Sequence, residues 1–176
     1  MNIILIGYRG SGKSTVGSRL AARLKMTFVD TDDLIEERQG VPISDIVKFH
    51  GWGHFRKLER NTIEEISKGN DLIIAPGGGA VLDTDNVNVL RRNGIVIWLK
   101  ADRATLLKRI KRDPGTNTRR PGLTGKGTSG ELKEVMSLRE PVYERASEVQ
   151  IDTTGMDVET VVENILTVLK DKMGRI

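Results

Sequence analysis

The 176-residue chain contains no cysteine, which excludes disulfides and thiolate metal sites outright and agrees with a reducing compartment. No apolar run approaches the ~20 residues of a membrane span, and the apolar stretch after Met1 is too short for a signal-peptide core. A cytoplasmic location without membrane partners is the expectation. Neither sign of charge dominates: 28 Lys and Arg against 24 Asp and Glu leave a net +4, interleaved along the chain. That balance suits small anionic ligands and speaks against a nucleic-acid groove. No internal repeat or linker divides the chain, so residues 1–176 read as one domain, long enough to bury a sizeable core. The two histidines, His50 and His54, and the two tryptophans, Trp52 and Trp98, show no partnered spacing and are assigned to core or loop packing.

What is present begins seven residues in. Gly7-Tyr8-Arg9-Gly10-Ser11-Gly12-Lys13-Ser14 follows the apolar run Asn2-Ile3-Ile4-Leu5-Ile6 and matches G-x-x-x-x-G-K-S, the phosphate-binding P-loop. Its glycines let the backbone curl with N–H groups pointing inward, and the following helix N-terminus completes a concave anion site. Lys13 supplies a point charge near the β- and γ-phosphates of a nucleoside triphosphate, and Ser14 a hydroxyl for the Mg²⁺ that accompanies them. The context is complete: a β-branched run precedes the motif, and Val16, Leu20 and Leu24 recur at helical spacing behind it.

Further along, residues 26–29 predict a short strand ending in Asp30-Thr31-Asp32-Asp33, and residues 34–38 a helix stopped by Gly40 and Pro42. A short helix is expected near residues 44–47, then a loop at Gly51 leading into a second helix with Phe55, Leu58 and Ile66 inward. Residues 71–75 form a third strand, closed by Pro76-Gly77-Gly78-Gly79-Ala80, where backbone is expected to approach a ligand closely. Residues 83–92 read as a helix, 94–99 as a fourth strand and 102–112 as a basic helix. Residues 113–130 are glycine-rich, polar and basic, and read as a lid carrying Arg119 and Arg120. A helix from Glu131 to about Ala146, interrupted or bent near Pro141, a strand at 149–151 and an amphipathic helix at 158–170 complete the chain. Strands alternating with helices imply a parallel sheet covered on both faces, a three-layer α/β/α domain.

Several residues carry chemistry. Asp30 and Asp32 stand two apart at the C-terminal end of a strand, where ligands gather in open α/β sheets. If the segment stays extended, both carboxylates project to one side, one toward Mg²⁺ and one toward a substrate hydroxyl. Either of the two can instead cap the following helix, as Asp33 can. Arg56 and Glu59 lie three apart on a helix, so the carboxylate can brace the guanidinium while its fork faces a ligand carboxylate; alone, such a pair is usually a solvated ion pair. Arg119 and Arg120 can neutralise charge on the γ-phosphate and exclude water.

Taken together, the P-loop at 7–14, Asp30-Thr31-Asp32, Phe55-Arg56-x-x-Glu59, glycines 77–79, Arg120-Pro121 and Leu138-Arg139-x-Pro141-x-Tyr143 resemble the shikimate kinase family in order and spacing along nearly the whole chain. The resemblance implies a P-loop kinase fold with a five-stranded parallel sheet in order 2-3-1-4-5 and a lid insertion. It implies a substrate-binding region at about 31–62, a lid at about 113–130, and transfer of the ATP γ-phosphate to the 3-hydroxyl of shikimate by a monomer. By the same resemblance Gly10, Ser11, Gly12, Lys13, Ser14, Thr15 and Arg120 hold the nucleotide, and Ser14 and Asp30 serve Mg²⁺. Asp32, Arg56, Gly78, Gly79 and Arg139 hold the acceptor, with Lys13, Asp32 and Arg120 catalytic. Cations beside Asp32 favour its ionised form, which makes it a weak base, so Asp32 is expected mainly to orient the hydroxyl. Arg109 and Arg112 align equally well with the family's adenine contact. The chain departs from the family in Gly122-Leu123 after the lid Arg-Pro, in Ala75-Pro76 before the glycines, and in lacking a proline at 153–156. Another small-metabolite kinase, such as a gluconate kinase, shares the P-loop without requiring the arginine pair together with the glycine run. A non-catalytic nucleotide-binding regulator would not need the complete set of transfer residues.

Overall fold

A computed structural model describes residues 1–112 and 127–173. In chain order the elements are β1 (Asn2–Ile6), α1 (Lys13–Leu24), β2 (Thr27–Asp30), α2 (Thr31–Gln39), α3 (Ile43–Ile66), β3 (Leu72–Ala75), a 3₁₀ turn (Ala80–Leu82), α4 (Thr84–Arg92), β4 (Gly94–Lys100), α5 (Arg103–Arg112), α6 (Gly127–Ala146), β5 (Val149–Asp152) and α7 (Val158–Met173). The strands form one sheet in the order β2-β3-β1-β4-β5, and every neighbouring pair is parallel.

The apolar run of β1 is continuous because both of its faces are covered. Ile4 and Ile6 point into one core, shared with Ile74, Val96 and Trp98 and sealed by residues of α4, α5 and α6. Ile3 and Leu5 point into the other, shared with Ile73, Ile97 and Leu99 and sealed by α1 and α7. Ile4 is fully buried, and truncating such a side chain to alanine costs about 2–5 kcal/mol. Trp98 belongs to the first core, its ring tilted against Tyr143 at 5.6 Å, as its packing assignment requires. A third, smaller core of Ile35, Ile43, Ile46 and Phe55 joins α2 to α3 and supports the region expected to hold substrate. No helix among the described residues is long and apolar enough to cross a membrane.

Three local expectations change. The segment after β2 does not stay extended: Asp30 ends the strand and caps α2, its Oδ1 accepting from the Asp32 N–H at 3.0 Å, so Asp32 lies in the first turn of a helix. Of the three aspartates that could cap the helix, Asp30 does so, and Asp32 and Asp33 do not. The C-terminal part of the expected lid is already helical, since α6 begins at Gly127. Of the interruption or bend expected near Pro141, the interruption is absent and the helix runs through that proline; residues 113–126, with Arg119 and Arg120, lie outside the described residues. The short helix near 44–47 and the helix after Gly51 are the two parts of α3, which meet at Gly51.

Gly51 adopts φ 80° and ψ 166°, a conformation essentially reserved for glycine. A Cβ there would meet nothing within 4 Å, so the backbone alone makes the demand. Gly51→Ala is expected to lower stability by about 1–3 kcal/mol in urea denaturation. An unchanged midpoint would mean that the kink does not require glycine.

Candidate active site

The C-terminal ends of β1, β2 and β3 lie at one edge of the parallel sheet, and each delivers part of the site. β1 runs into the P-loop, whose last residue before α1, Gly12, takes a left-handed conformation. No side chain caps α1, which leaves its positive N-terminal end available to an anion. Lys13 Nζ folds over the loop and donates to the carbonyls of Gly7 at 2.8 Å and Tyr8 at 3.2 Å. Here the loop borders a cavity of 720 Å³, within the ~300–1,000 Å³ usual for small-molecule sites. Gly10, Ser11, Gly12, Lys13, Ser14 and Thr15 line one side of it. Arg109, Thr153 and Met156 line it as well, and Arg109 Nη1 donates to the Gly10 carbonyl at 3.5 Å.

This lining separates the two arginines that the sequence left equivalent. Arg109 lines the cavity and donates to Thr153 Oγ1 at 2.9 Å and the Thr153 carbonyl at 2.8 Å, whereas Arg112 is exposed and does not line it. Thr153 and Met156 occupy the stretch without proline, so the wall is built from other side chains.

Asp30 joins the first two strand ends. Its Oδ1 caps α2, and its Oδ2 accepts from Ser14 Oγ at 2.8 Å. Two hard oxygen donors on the cavity wall suit Mg²⁺, which keeps several waters and takes further ligands from phosphates. Among the described residues no group of three or more His, Asp or Glu side chains could hold a metal alone, so phosphate and water ligands fit what Ser14 and Asp30 leave.

Beside this cavity is a smaller recess lined by Tyr8, Arg9, Asp32, Trp52, Arg56 and Glu59, with glycines 77–79 and Arg139. The glycine turn is tied from both sides. Thr31 Oγ1 accepts from the Gly77 N–H at 3.1 Å, and Tyr143 Oη donates to the Gly78 carbonyl at 2.6 Å. Arg56 donates through Nη1 to Glu59 Oε2 at 2.5 Å, and its Cζ lies 5.5 Å from the Trp52 ring and 5.3 Å from Phe55. A Cβ on Gly79 would come within 2.6 Å of Arg56 Nη2, so the glycine permits the close approach of that guanidinium. Arg139, almost completely buried on α6, brings Nη1 to 3.6 Å from the position a Gly78 Cβ would take. Arg56 and Arg139, 83 positions apart, thus converge on one glycine turn, with Asp32 in the same recess.

Glu59 is only 1% exposed, and burial pushes its carboxyl above the ordinary 4.5 although Arg56 and Arg139 pull it down. Its role as a brace for Arg56, one of two readings open from sequence, is the one the burial favours: this is no solvated ion pair. Trp52, assigned to packing, instead lines the recess with its ring edge-on to Phe55 at 5.9 Å. Tyr8 and Trp52 carried no distinguishing sequence signal as site residues, and Tyr143 was given no role although it closes the motif that contains Arg139. The position of Tyr143 four residues after Arg139, on the same helical face, was the available clue. Arg9 was also missed: it pairs with Glu131 of α6 at 2.7 Å, the two side chains being 13% and 3% exposed.

A family model described as shikimate kinase matches residues 9–170. The chain belongs to the shikimate kinase family. It is 42% identical over 175 residues to the shikimate kinase of Symbiobacterium thermophilum, covering 99% of each chain. Among solved structures, shikimate kinase from Acinetobacter baumannii in complex with shikimate superposes with a TM-score of 0.90 at 30% identity, over 97% of this chain and 93% of the other. A gluconokinase from Sinorhizobium meliloti reaches a TM-score of 0.57 at 17% identity, covering 97% and 91%, a likeness of fold alone. Membership of the family agrees with the sheet order and the P-loop of this chain.

The Glu59 shift has a measurable sign. A carboxyl whose pKa is raised by folding binds more protons in the native state, so it adds stability as pH falls through the raised value toward 4.5. Relative to Glu59→Gln, the wild-type protein is expected to gain stability over that window and to level off below it, read from urea midpoints. A stability difference that does not change with pH would contradict the burial argument.

Proposed function

We infer that the chain is an ATP-dependent shikimate kinase that transfers the γ-phosphate of ATP to the 3-hydroxyl of shikimate. The observation that carries this reading is the convergence of Arg56 and Arg139 on the glycine turn beside Asp32, with the P-loop cavity adjoining. Two guanidiniums at one end of a recess make a clamp for a carboxylate, and a carboxylate at its other side can hold ring hydroxyls. Gly78 and Gly79 bring backbone to the same ligand. Gly10, Ser11, Gly12, Ser14 and Thr15 surround the triphosphate, and Lys13 exchanges the carbonyls it now contacts for phosphate oxygens.

In this assignment Asp32 accepts a hydrogen bond from the 3-hydroxyl and aims its lone pair at the γ-phosphorus. Proton transfer can come late, because a hydroxyl already bonded to phosphorus is strongly acidic and a weak carboxylate base then suffices. Mg²⁺, held through Ser14 and Asp30, would neutralise charge on the β- and γ-phosphates. Arg120 retains its sequence-based assignment as the lid cation, and Arg109 is assigned to the adenine side of the cavity. A single domain acting as a cytoplasmic monomer is part of the same reading.

The deciding experiment is ADP release with ATP and Mg²⁺ over a panel of shikimate, gluconate and nucleoside monophosphates, and turnover with shikimate alone is expected. Turnover with gluconate would assign the other kinase class. ATP binding without turnover on any acceptor would favour a regulator.

The clamp makes its own prediction. Arg56→Lys replaces a fork by a point charge, and Gly79→Ala places a methyl group where Arg56 Nη2 lies. Each should raise the shikimate KM about 10- to 100-fold, as expected for loss of a charged hydrogen bond, with little effect on the ATP KM. Equal effects on both substrates would refute the clamp.

A further inference from the structure

Arg9 stands at the place where the two cavities meet. The residues that line both are Arg9, Asp32 and Ile43, so the described wall of the junction consists of one cation, one carboxylate and one apolar side chain. In the kinase reading, on which this inference rests, the phosphoryl group passes through that junction. Asp32 faces the attacking hydroxyl there. Its counterpart on the phosphoryl side is Arg9.

We propose that Arg9 is a further catalytic residue, whose guanidinium donates to the non-bridging oxygens of the phosphoryl group during transfer. Arg9 belongs to the P-loop itself, on the short connection between the buried strand β1 and α1, so its backbone is fixed relative to the γ-phosphate site. Its side chain is held as well. Glu131 Oε1 accepts from Nη2 at 2.7 Å, and the Arg9 Cζ lies 5.7 Å from the centre of the Tyr8 ring. Glu131 is 3% exposed, so it holds the guanidinium from inside the protein and acts as a positioning residue. A guanidinium has five N–H donors in a planar fork, and holding one nitrogen through Glu131 leaves it able to engage a second anion. The cation is preorganised rather than recruited, the condition under which electrostatic stabilisation of a transition state is most effective.

The step balances without any further reactant. The 3-hydroxyl oxygen of shikimate supplies the electron pair of the new P–O bond. The bond from γ-phosphorus to the β,γ-bridging oxygen breaks, and its electron pair stays on ADP. The hydroxyl proton passes to Asp32 and then to water. Between these events charge is spread over the three equatorial oxygens, and Arg9 faces that charge from the junction of the two cavities while Lys13 serves the triphosphate side. The acceptor clamp and Arg9 have separate tasks in this scheme, since Arg56 and Arg139 bind a carboxylate present before and after transfer.

The alternative is that Arg9 and Glu131 merely tie the P-loop to α6. Single-turnover phosphoryl transfer from ATP to shikimate, measured in wild-type protein, Arg9→Met, Arg9→Lys and Glu131→Gln, separates the two. Arg9→Met is expected to slow transfer about 10²- to 10³-fold, the usual loss for one preorganised donor, with both KM values within about 3-fold of wild type. Arg9→Lys should recover part of the loss, and Glu131→Gln should fall between wild type and Arg9→Met. In Arg9→Met, binding of ADP with aluminium fluoride in the presence of shikimate should weaken by a similar factor while ADP alone binds unchanged. The proposal is overturned if Arg9→Met, with a wild-type melting temperature, transfers phosphate at the wild-type rate. It is equally overturned if any loss is matched by weaker ADP binding or is fully explained by a lower melting temperature in both Arg9 variants. Absence of transfer in the wild-type protein would instead overturn the kinase reading itself.

Discussion

The parallel pairing of five strands is the constraint from which the site follows. Parallel strands end on the same edge, so the P-loop after β1, Asp30 and Asp32 after β2, and the glycine turn after β3 are delivered to one place although they are separated by tens of residues. The sheet holds this arrangement because both faces of β1 are buried, which pins its register: a slip of one residue would exchange the sets Ile3, Leu5 and Ile4, Ile6 between two differently shaped cores. Asp30 adds a local lock. One of its oxygens caps α2 and the other receives Ser14, so the entry to the acceptor region and the start of α1 share a single carboxylate.

Electrostatics shape the acceptor side. Arg9, Arg56 and Arg139 face a recess that also contains Asp32 and Glu59. Removing Glu59 from water raises its pKa, and the neighbouring arginines offset part of that cost. The outcome is a pair in which the carboxylate is deep and the guanidinium lies nearer the surface, so Arg56 is aimed outward by a partner it cannot easily leave. Arg9 and Glu131 repeat the scheme where the two cavities meet, with the acid again the more buried member. Thr31 and Tyr143 then fix the glycine turn between these cations through one backbone N–H and one backbone carbonyl.

Much of this was legible in order along the chain. The P-loop and the strand and helix alternation depend on residues near one another and have the form expected, and the Arg56–Glu59 pair takes one of the two forms its spacing left open. The exceptions are instructive. Asp30 and Asp32 were paired as extended strand positions, but the capping preference of Asp30 started α2 one residue later and turned Asp32 inward from a helix. Trp52 was assigned to packing because a lone aromatic has no periodicity to betray a recess. The ambiguity between Arg109 and Arg112 persisted because both lie on one basic helix, and only the place where that helix crosses Thr153 distinguishes them.

The sequence by itself determined that phosphates are bound, that strands alternate with helices, and that the chain resembles one kinase family. These rest on short-range spacing, which backbone geometry converts directly into local structure. Only the tertiary structure decided which distant side chains share a surface. Arg9 meets Glu131 across 122 positions, Tyr143 meets Gly78 across 65, and Arg56 and Arg139 close on the same turn. Such encounters depend on how α6 packs against the sheet, a property of the whole core that no local pattern of residues encodes.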